Sequence, residues 1–160
     1  MNEDRSPEHY MQEALALAID AAAADEVPIG AVLVDRQSGK IVARGRNRTR
    51  EKNDPTAHAE IEVIRALCNI NGAQRIPGYD LYVTLEPCPM CAAAISYARI
   101  DHLYFGASDP KSGGVKDGPK LYTHSQLHHK PEVSEGFLAE RSGALLSEFF
   151  QNKRKERNRI

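Results

Sequence analysis

Two short segments carry residues that could do chemistry together. The segment LEPCPMC holds Cys88 and Cys91, two of the three cysteines in the chain. The segment TAHAEIE holds His58 and Glu60. A C-x-x-C pair is either a redox couple or half of a metal site whose other ligands lie elsewhere in the chain. The second segment supplies the residue types that would complete a metal site.

The spacing of these residues favours a catalytic zinc site. Cys88 and Cys91, three apart, would lie on one face of the first turn of a helix, where free N–H groups and the helix dipole stabilise thiolates. Within a helix, His58 and Glu60 would diverge by roughly 200°, so they converge only on a point beyond the helix end. Two helix starts facing one ion would make His58, Cys88 and Cys91 the ligands and leave the fourth position open beside Glu60, as in catalytic zinc sites.

Such a site would activate water. Two thiolates and a neutral imidazole cancel the charge of the dication, and bound water could still ionise near neutral pH. Glu60, held beside the metal without binding it, would take that proton and return it to the substrate. The alternatives are a redox pair at Cys88 and Cys91, a core histidine at His58 and a solvated acid at Glu60. The redox alternative conflicts with the neighbouring proline and the H-x-E segment, and the other two would have to occur together by coincidence.

Helices and strands alternate around the two segments. The first half of the chain predicts a helix over 7–25, hairpin strands over 30–35 and 40–47, and a helix beginning at the NDP motif of 53–55. The second half predicts a strand over 81–85, a helix beginning at Pro87 and Pro89, and a strand over 102–107. A loop over 108–131, an edge strand over 131–135 and a final helix carrying Phe149 and Phe150 complete the chain. This order predicts an α/β fold, a three-layer α/β/α sandwich around a mixed five-stranded sheet, in one domain over residues 1–160.

The net charge of −1 hides two basic clusters. The stretch Lys40–Lys52 carries six cations and one anion, or +5, and the tail 153–160 carries five cations and one anion, or +4. The rest of the chain must then carry −10, because −1 − 5 − 4 = −10. Basic clusters on an acidic body favour a polyanionic partner such as nucleic acid; the alternative is a solvated loop and a frayed helix end.

Composition indicates an ordinary globular protein, with 41% hydrophobic and 27% charged residues. No apolar run approaches the roughly 20 residues that span a bilayer, so we expect no membrane segment. The N-terminus is acidic and polar, so we expect no signal peptide. A small, odd number of cysteines argues for a reducing compartment, and we expect a cytoplasmic location.

The H-x-E and P-C-x-x-C motifs match the signature of zinc nucleobase deaminases. The chain also resembles the bacterial tRNA adenosine deaminases of the cytidine deaminase superfamily, in the segments VPIGAVLV, GRNRT, DPTAHAEI, LYVTLEPCPMCAAAI, ARI, FGASD and EGFLAERSGALLSEFF. The resemblance implies a cytidine deaminase-like fold with one Zn²⁺ per subunit. It implies deamination of the wobble adenosine in a tRNA anticodon stem-loop to inosine, by a homodimer whose two subunits both contact the RNA.

The resemblance also implies substrate contacts. Asn47 and the backbone of Ala59 would contact the adenine, with Ile29 packed near it. A plain core role is the alternative for Ile29. Asp109 would hold the sugar-phosphate side of the target or the adjacent nucleotide, and its alternative is a turn-capping role. The basic tail and one of two phenylalanines, Phe149 or Phe150, would touch the anticodon loop.

Two other functions stay open from sequence. A deaminase of a free base or nucleotide, such as guanine or cytosine, would share the zinc site but have no use for the cationic tail. A non-enzymatic RNA-binding module would use the zinc structurally, although Glu60 beside an open position argues against it. If the protein is the tRNA deaminase, replacing Glu60 by alanine would leave zinc binding and tRNA binding intact and abolish turnover.

The least similar stretch, PKSGGVKDGPKLYTHSQLHHK, is where substrate specificity could be set. It contains His124, His128 and His129, whose H-x-x-x-H spacing raises the idea of a second metal site. Solvated or RNA-facing histidines are favoured over a second metal site, because no acidic residue accompanies these three histidines. Cys68, on the apolar face of the second helix, is expected to be a buried small hydrophobe.

Overall fold

The computed structural model describes residues 4–159 and places five strands in one mixed sheet between helices. The helices are α1 (Pro7–Ala23), α2 (Ala59–Asn71), α3 (Pro89–Tyr97) and α4 (Ala139–Arg157), and the strands are β1 (Gly30–Asp35), β2 (Ile41–Arg46), β3 (Tyr79–Leu85), β4 (His102–Ala107) and β5 (Glu132–Glu135). The strand order is β2-β1-β3-β4-β5. β1 is antiparallel to β2 and β3, whereas β4 is parallel to both β3 and β5.

Both faces of the sheet are covered by helices. Side chains alternate between the faces along a strand: Leu33 of β1 packs in one core with α2 and α3, and Val32 packs in a second core with α1. α4 lies against β3 and β4 and also contacts α1. The predicted three-layer sandwich is therefore confirmed. Cys68 packs against the first core but is only partly buried.

The carboxyl ends of β3 and β4 lie side by side, because Leu85 pairs with Ala107 in their parallel ladder. The start of β1 lies at the same edge, where the Gly30 N–H donates to the Thr84 hydroxyl at 3.2 Å. The chain leaves β3 at this edge and enters α3 within a few residues. Ligand sites of α/β sheets are typically found at such an edge.

The start of α2 differs from the sequence prediction. The NDP motif does not cap the helix, because Asp54 Oδ1 accepts hydrogen bonds from the Thr56 N–H at 2.8 Å and the Thr56 hydroxyl at 2.7 Å. The carboxylate is thus used in a local turn, an alternative open to Asp. α2 begins only at Ala59, with His58 as its N-cap.

The start of α3 is also later than predicted. The helix begins at Pro89 and has Cys88 as its N-cap, so Pro87 lies before the helix rather than in its first turn. The first helix, α1, ends at Ala23 rather than at residue 25 as predicted. Asp25 has a left-handed backbone (φ 62°), which a helix cannot continue through.

The predicted loop over 108–131 is tied to the rest of the fold by one of its histidines, His129, while His124 bonds within the loop. It contains a short 3₁₀ helix, Leu121–Thr123. His129 Nε2 donates to the Ile100 carbonyl at 2.6 Å, and His124 Nε2 donates to the Pro119 carbonyl at 2.8 Å. The prediction of a solvated or RNA-facing residue is therefore wrong for His129, which is partly buried, whereas His124 and His128 are exposed.

No helix in the described stretch, residues 4–159, combines the length and apolar character needed to cross a bilayer.

Asp80 makes the stability of this fold depend on pH. Its side chain is 13% exposed on β3, with Oδ1 3.3 Å from Arg36 Nε, an ion pair without good hydrogen-bond geometry. Burial raises the pKa of Asp80 from 3.8 to about 6, although Arg36 opposes the shift. Because the folded state holds this proton more tightly than the unfolded chain, the free energy of unfolding falls as pH rises through that range.

We therefore expect Asp80→Asn to gain stability over the wild type above pH 6, by about 1–3 kcal/mol, and to match it near pH 4. Urea denaturation at pH 4.5 and pH 7.5 measures the difference. Metal loss in acid affects both proteins alike and cancels in the comparison. A variant less stable than the wild type at pH 7.5 would mean that the Arg36 ion pair outweighs the cost of burial.

Candidate active site

Three side chains from two helix starts meet at the carboxyl edge of the sheet. His58 Nδ1 lies 3.6 Å from Cys88 Sγ and 3.5 Å from Cys91 Sγ. A tetrahedral zinc ion with Zn–S of about 2.3 Å and Zn–N of about 2.0 Å requires an N···S separation of about 3.5 Å. The donor set and its spacing therefore fit zinc. Within residues 4–159, no other group of histidine, cysteine and acidic side chains gathers its ligand atoms this closely.

The backbone at both helix starts explains how the side chains converge. His58 (φ −74°, ψ 156°) and Cys88 (φ −68°, ψ 171°) are N-cap residues with extended backbones. N-cap side chains usually accept a hydrogen bond from the first turn, but neither of these side chains does so. Because His58 is not part of the helix, it escapes the angular divergence from Glu60 that a helix would impose. Both N-cap side chains are left to bind an ion.

Glu60 lies in the first turn of α2 and is 3% exposed. Its Oε1 has no hydrogen-bond partner among residues 4–159. Burial, helped by the nearby Cys88 thiolate, raises the pKa of Glu60 to about 7. A carboxyl group with this pKa can both accept and donate a proton at neutral pH.

The two thiols differ in acidity before metal binds. The hydrogen bond with Cys91, helped by one with His58, lowers the pKa of Cys88 to about 4. The pKa of Cys91 is raised, because this thiol donates to Cys88 and is buried. One thiolate is thus preformed, and the second forms with release of a proton when metal binds.

A pocket of about 590 Å³ opens beside these groups. Seven of its lining residues are ones that the sequence had singled out: Ile29, Asn47, His58, Glu60, Cys88, Asp109 and Phe150. An eighth, Arg154, belongs to the basic tail that the resemblance had placed at the anticodon loop. Sequence reasoning gave no role at the site to the other seven, and no local pattern marked them: Val27, Thr49, Leu85, Glu86, Lys111, Ser112 and Leu146.

Asn47 and Ala59 bond to each other. Asn47 Oδ1 accepts from the Ala59 N–H at 2.8 Å, and the Asn47 N–H donates to the Ile29 carbonyl at 3.1 Å. The Asn47 side chain is buried and oriented by these bonds. Its amide nitrogen is therefore the group that can donate to a ligand, whereas the Ala59 N–H could do so only by exchanging its partner.

Asp109 and Ile29 both lie where the resemblance implies a substrate contact, and each also has the structural role that was its alternative. Asp109 lines the pocket, but its Oδ1 also caps a turn by accepting from the N–H groups of Lys111 at 3.2 Å and Ser112 at 3.1 Å. Ile29 lines the pocket and packs against the core at the same time. Each residue therefore has a structural role that does not depend on a ligand.

The two phenylalanines of α4 have different environments. Phe150 is 45% exposed and lines the pocket. Phe149 is partly buried, does not line the pocket, and has Lys153 Nζ 5.6 Å from its ring centroid. Phe150 is thus the ring that a ligand in the pocket could reach.

Most of the first basic cluster is engaged in ion pairs. The pairs are Arg44–Glu13, Arg46–Glu51, Arg48–Glu51, Arg50–Asp25 and Lys52–Glu62. In the tail, Lys153 pairs with Asp25, whereas Arg154, Lys155, Arg157 and Arg159 make no ion pair with a carboxylate of residues 4–159. The unpaired positive charge near the pocket is therefore on α4 and at Lys111 rather than on the hairpin.

Comparison with known proteins places this geometry in a family. Residues 4–107 match the cytidine and deoxycytidylate deaminase zinc-binding region. A tRNA-specific adenosine deaminase of Agrobacterium fabrum (strain C58) is 55% identical over 146 residues, which cover 91% of this chain and 95% of the relative. The chain belongs to the tRNA-specific adenosine deaminase family. Because the matched zinc-binding region contains the His-Cys-Cys group, zinc is the cofactor of this site.

Solved structures extend the comparison beyond the tRNA-specific adenosine deaminase family. One, from work on A-to-I editing by tRNA:A34 deaminases at the wobble position of tRNA, has a TM-score of 0.84 at 55% identity and covers 86% of this chain and 99% of that one. A guanine deaminase from Nitrosomonas europaea has a TM-score of 0.78 at 25% identity and covers 90% of this chain and 84% of that one. The family thus shares its fold with an enzyme named for a free base, so the fold alone does not select the substrate.

Proposed function

We propose that this protein deaminates adenosine to inosine at the wobble position of a tRNA anticodon, in the cytoplasm and as a single domain. His58, Cys88 and Cys91 hold the zinc, and Glu60 is the catalytic acid–base. The observation that carries the proposal is the buried Glu60 carboxyl, with its unpartnered Oε1, beside the zinc-type cluster in an open pocket. Identity of 55% to a tRNA-specific adenosine deaminase supports this substrate.

The chain's own residues account for the proton transfers. Bound zinc would lower the pKa of water and so supply a nucleophile near neutral pH. Glu60 Oε1 takes the first proton from the attacking water and delivers it to N1 of adenine. It then takes the second proton, from the oxygen newly bonded to C6, and passes it to the amine as the C6–N bond breaks and the C6 carbonyl forms. Water attacks C6 and ammonia leaves, so the balance is adenosine plus water to inosine plus ammonia.

Residues around the pocket would bind and orient the nucleotide. The Asn47 amide nitrogen donates to the base, with Ala59 fixing its orientation, and Ile29 packs against the ring. Asp109 holds the sugar-phosphate side. Phe150 stacks on a base of the anticodon loop, a contact worth about 1–3 kcal/mol, which offsets the cost of flipping the target base out of its stack.

We also propose that two copies of the chain act together. The helices of the metal-binding layer carry large apolar side chains in contact with solvent, namely Ile70 at the end of α2 and Met90 and Tyr97 on α3. Covering these side chains with a second copy would remove apolar area from water, the main driving force for association. An anticodon stem-loop would then contact both subunits.

The direct test is to incubate the zinc-loaded protein with a tRNA pool and, separately, with adenosine, guanine and cytosine. The proposal predicts inosine at the anticodon wobble position and ammonia release from tRNA alone. Ammonia from guanine or cytosine without inosine in tRNA would instead support a free-base deaminase. That second candidate rests on the likeness to the N. europaea guanine deaminase.

Replacing two cations of α4, Arg154 and Arg157, tests whether RNA is the substrate. Arg154 lines both the active-site pocket and, with Arg157, an adjoining groove. Replacing both by alanine should raise KM for tRNA roughly tenfold, or about 1.4 kcal/mol, and reduce the salt slope of binding by about one for each lost cation. Initial rates of inosine formation at several salt concentrations measure both effects.

The matched control is Arg75→Ala. Arg75 is an exposed cation in the connection between α2 and the start of β3. Because β3 runs from there toward the pocket edge, the length of this strand separates Arg75 from the pocket. We expect wild-type KM and salt slope for this variant. Equal kinetics for the Arg154–Arg157 double variant and the wild type would argue against RNA contact through α4.

A further inference from the structure

Glu86 is a buried carboxylate that the proposed chemistry does not use. It is 2% exposed and lies between the end of β3 and Cys88. Its oxygens accept four backbone N–H bonds, at 3.0–3.2 Å, from Asp109, Val115, Lys116 and Asp117. An ionised carboxylate has about four acceptor sites and no donor, so this loop supplies a nearly complete shell.

The four donors belong to the segment 109–117, which forms one wall of the pocket through Asp109, Lys111 and Ser112. Glycines allow this segment to approach Glu86 closely. A Cβ on Gly113 would lie 2.3 Å from Glu86 Oε2, and one on Gly114 would lie 2.6 Å from the Pro89 nitrogen.

A backbone bond attaches the same wall to the residues around the metal-binding segment, because the Gly114 N–H donates to the Pro87 carbonyl at 2.8 Å. The Glu86 N–H donates to the carbonyl of Ala107, at the end of β4 just before the wall, at 2.8 Å. The wall is therefore fixed to the chain on the N-terminal side of Cys88 by both side-chain and main-chain bonds.

We infer that Glu86 is a positioning residue that fixes the pocket wall 109–117 relative to Cys88, so that the substrate-binding wall and the metal ligand keep one geometry. This inference rests on the proposed function for its effect on the substrate. Glu86 also lines the pocket, but its oxygens accept from four backbone donors of the loop, so we assign its effect to the loop.

Glu26, which precedes the pocket-lining residue Val27, provides an internal comparison. It is 1% exposed and accepts the backbone N–H bonds of Arg50 at 3.1 Å and Glu51 at 2.8 Å. Unlike Glu86, it is far in sequence from the two cysteines. The two carboxylates thus hold different segments by the same kind of bond.

The test uses Glu86→Gln in the zinc-loaded full chain. The amide presents N–H₂ where one carboxylate oxygen accepts, so at least one backbone donor faces another donor. We expect KM for tRNA to rise at least tenfold with a smaller change in kcat, and zinc content to stay at the wild-type level. Amide hydrogen exchange at 113–117 should quicken at least tenfold, whereas Glu26→Gln should quicken exchange at 50–51 instead.

A second variant reaches the same contact from the loop. Gly113→Ala places a methyl group against Glu86 Oε2 and should reproduce the rise in KM and in exchange even if Glu86→Gln fails to fold. Its control is Gly143→Ala, where an added Cβ meets no atom within 4 Å, and wild-type KM is expected.

Wild-type exchange at 113–117 in Glu86→Gln or Gly113→Ala would overturn the inference. So would loss of zinc with an unchanged KM in the fraction that keeps its metal. Failure of the proposed function would show differently, as absence of inosine with the wild type, and the exchange measurement does not depend on it.

Discussion

Glu60→Gln is expected to lower kcat for tRNA deamination by about 10²–10⁴-fold while zinc content and tRNA affinity stay at wild-type levels. Gln keeps the shape of Glu60 but cannot take up a proton. The side chain is buried with Oε1 unpartnered among residues 4–159, so no neighbouring group satisfies or replaces that oxygen. Single-turnover inosine formation at saturating protein measures the chemical step apart from binding.

The control for this prediction is Glu62→Gln on the same helix. Glu62 pairs with Lys52 at 2.7 Å and does not line the pocket, so its loss should leave kcat close to the wild-type value. If Glu60→Gln with a full complement of zinc turned over within tenfold of the wild type, another group would have to carry the proton.

Cys91→Ser is expected to abolish stoichiometric zinc and to lower the stability of the fold. Cys91 is buried at the start of α3, and a hydroxyl is a poor substitute for a thiolate ligand. Because metal binds the folded state, losing it removes a stabilisation of RT ln(1 + [Zn]/Kd), about 4 kcal/mol when free zinc is 1,000 times Kd. Metal analysis and urea denaturation of the variant measure the two effects.

Two comparisons make this prediction specific. Wild-type protein from which a strong chelator has removed the zinc should denature at the same urea concentration as Cys91→Ser. Treating Cys91→Ser with the chelator should not change the urea concentration at which it denatures. Cys68→Ser should keep its zinc, because Cys68 lies on α2 outside the metal cluster. A Cys91→Ser protein that retains one zinc per chain would remove Cys91 from the ligand set.

The layers of the fold were predictable because β-branched runs and helical apolar periodicity are local signals. The helix starts were not, because Asp54 can either cap a helix or close its own turn, and sequence does not decide between them. The correct start of α2 depends on the Thr56 bonds, which appear only in three dimensions. That shift changes His58 from a helical residue to an N-cap.

The metal cluster was predictable because its chemistry demands particular residue types at short spacings. Its supports were not, because Glu86 and Glu26 are single acids whose partners lie in remote loops. The ion pairs of the basic hairpin were not predictable for the same reason. Counting charges between residues 40 and 52 cannot reveal that Glu13 of α1 and Asp25, just after that helix, pair with arginines of that stretch.

The extended residues that begin α2 and α3 have a consequence for the cofactor-free chain. A helix start that lacks a capping side chain leaves backbone donors unsatisfied unless water or a ligand provides for them. Here neither His58 nor Cys88 caps its own helix, and among residues 4–159 only the Ala59 N–H at the start of α2 has a side-chain acceptor, Asn47 Oδ1. A single shared ion would hold both N-cap side chains in place. Fraying should therefore begin at these two helix tips together once the ion leaves, so that the catalytic end of the molecule loosens before its sheet does.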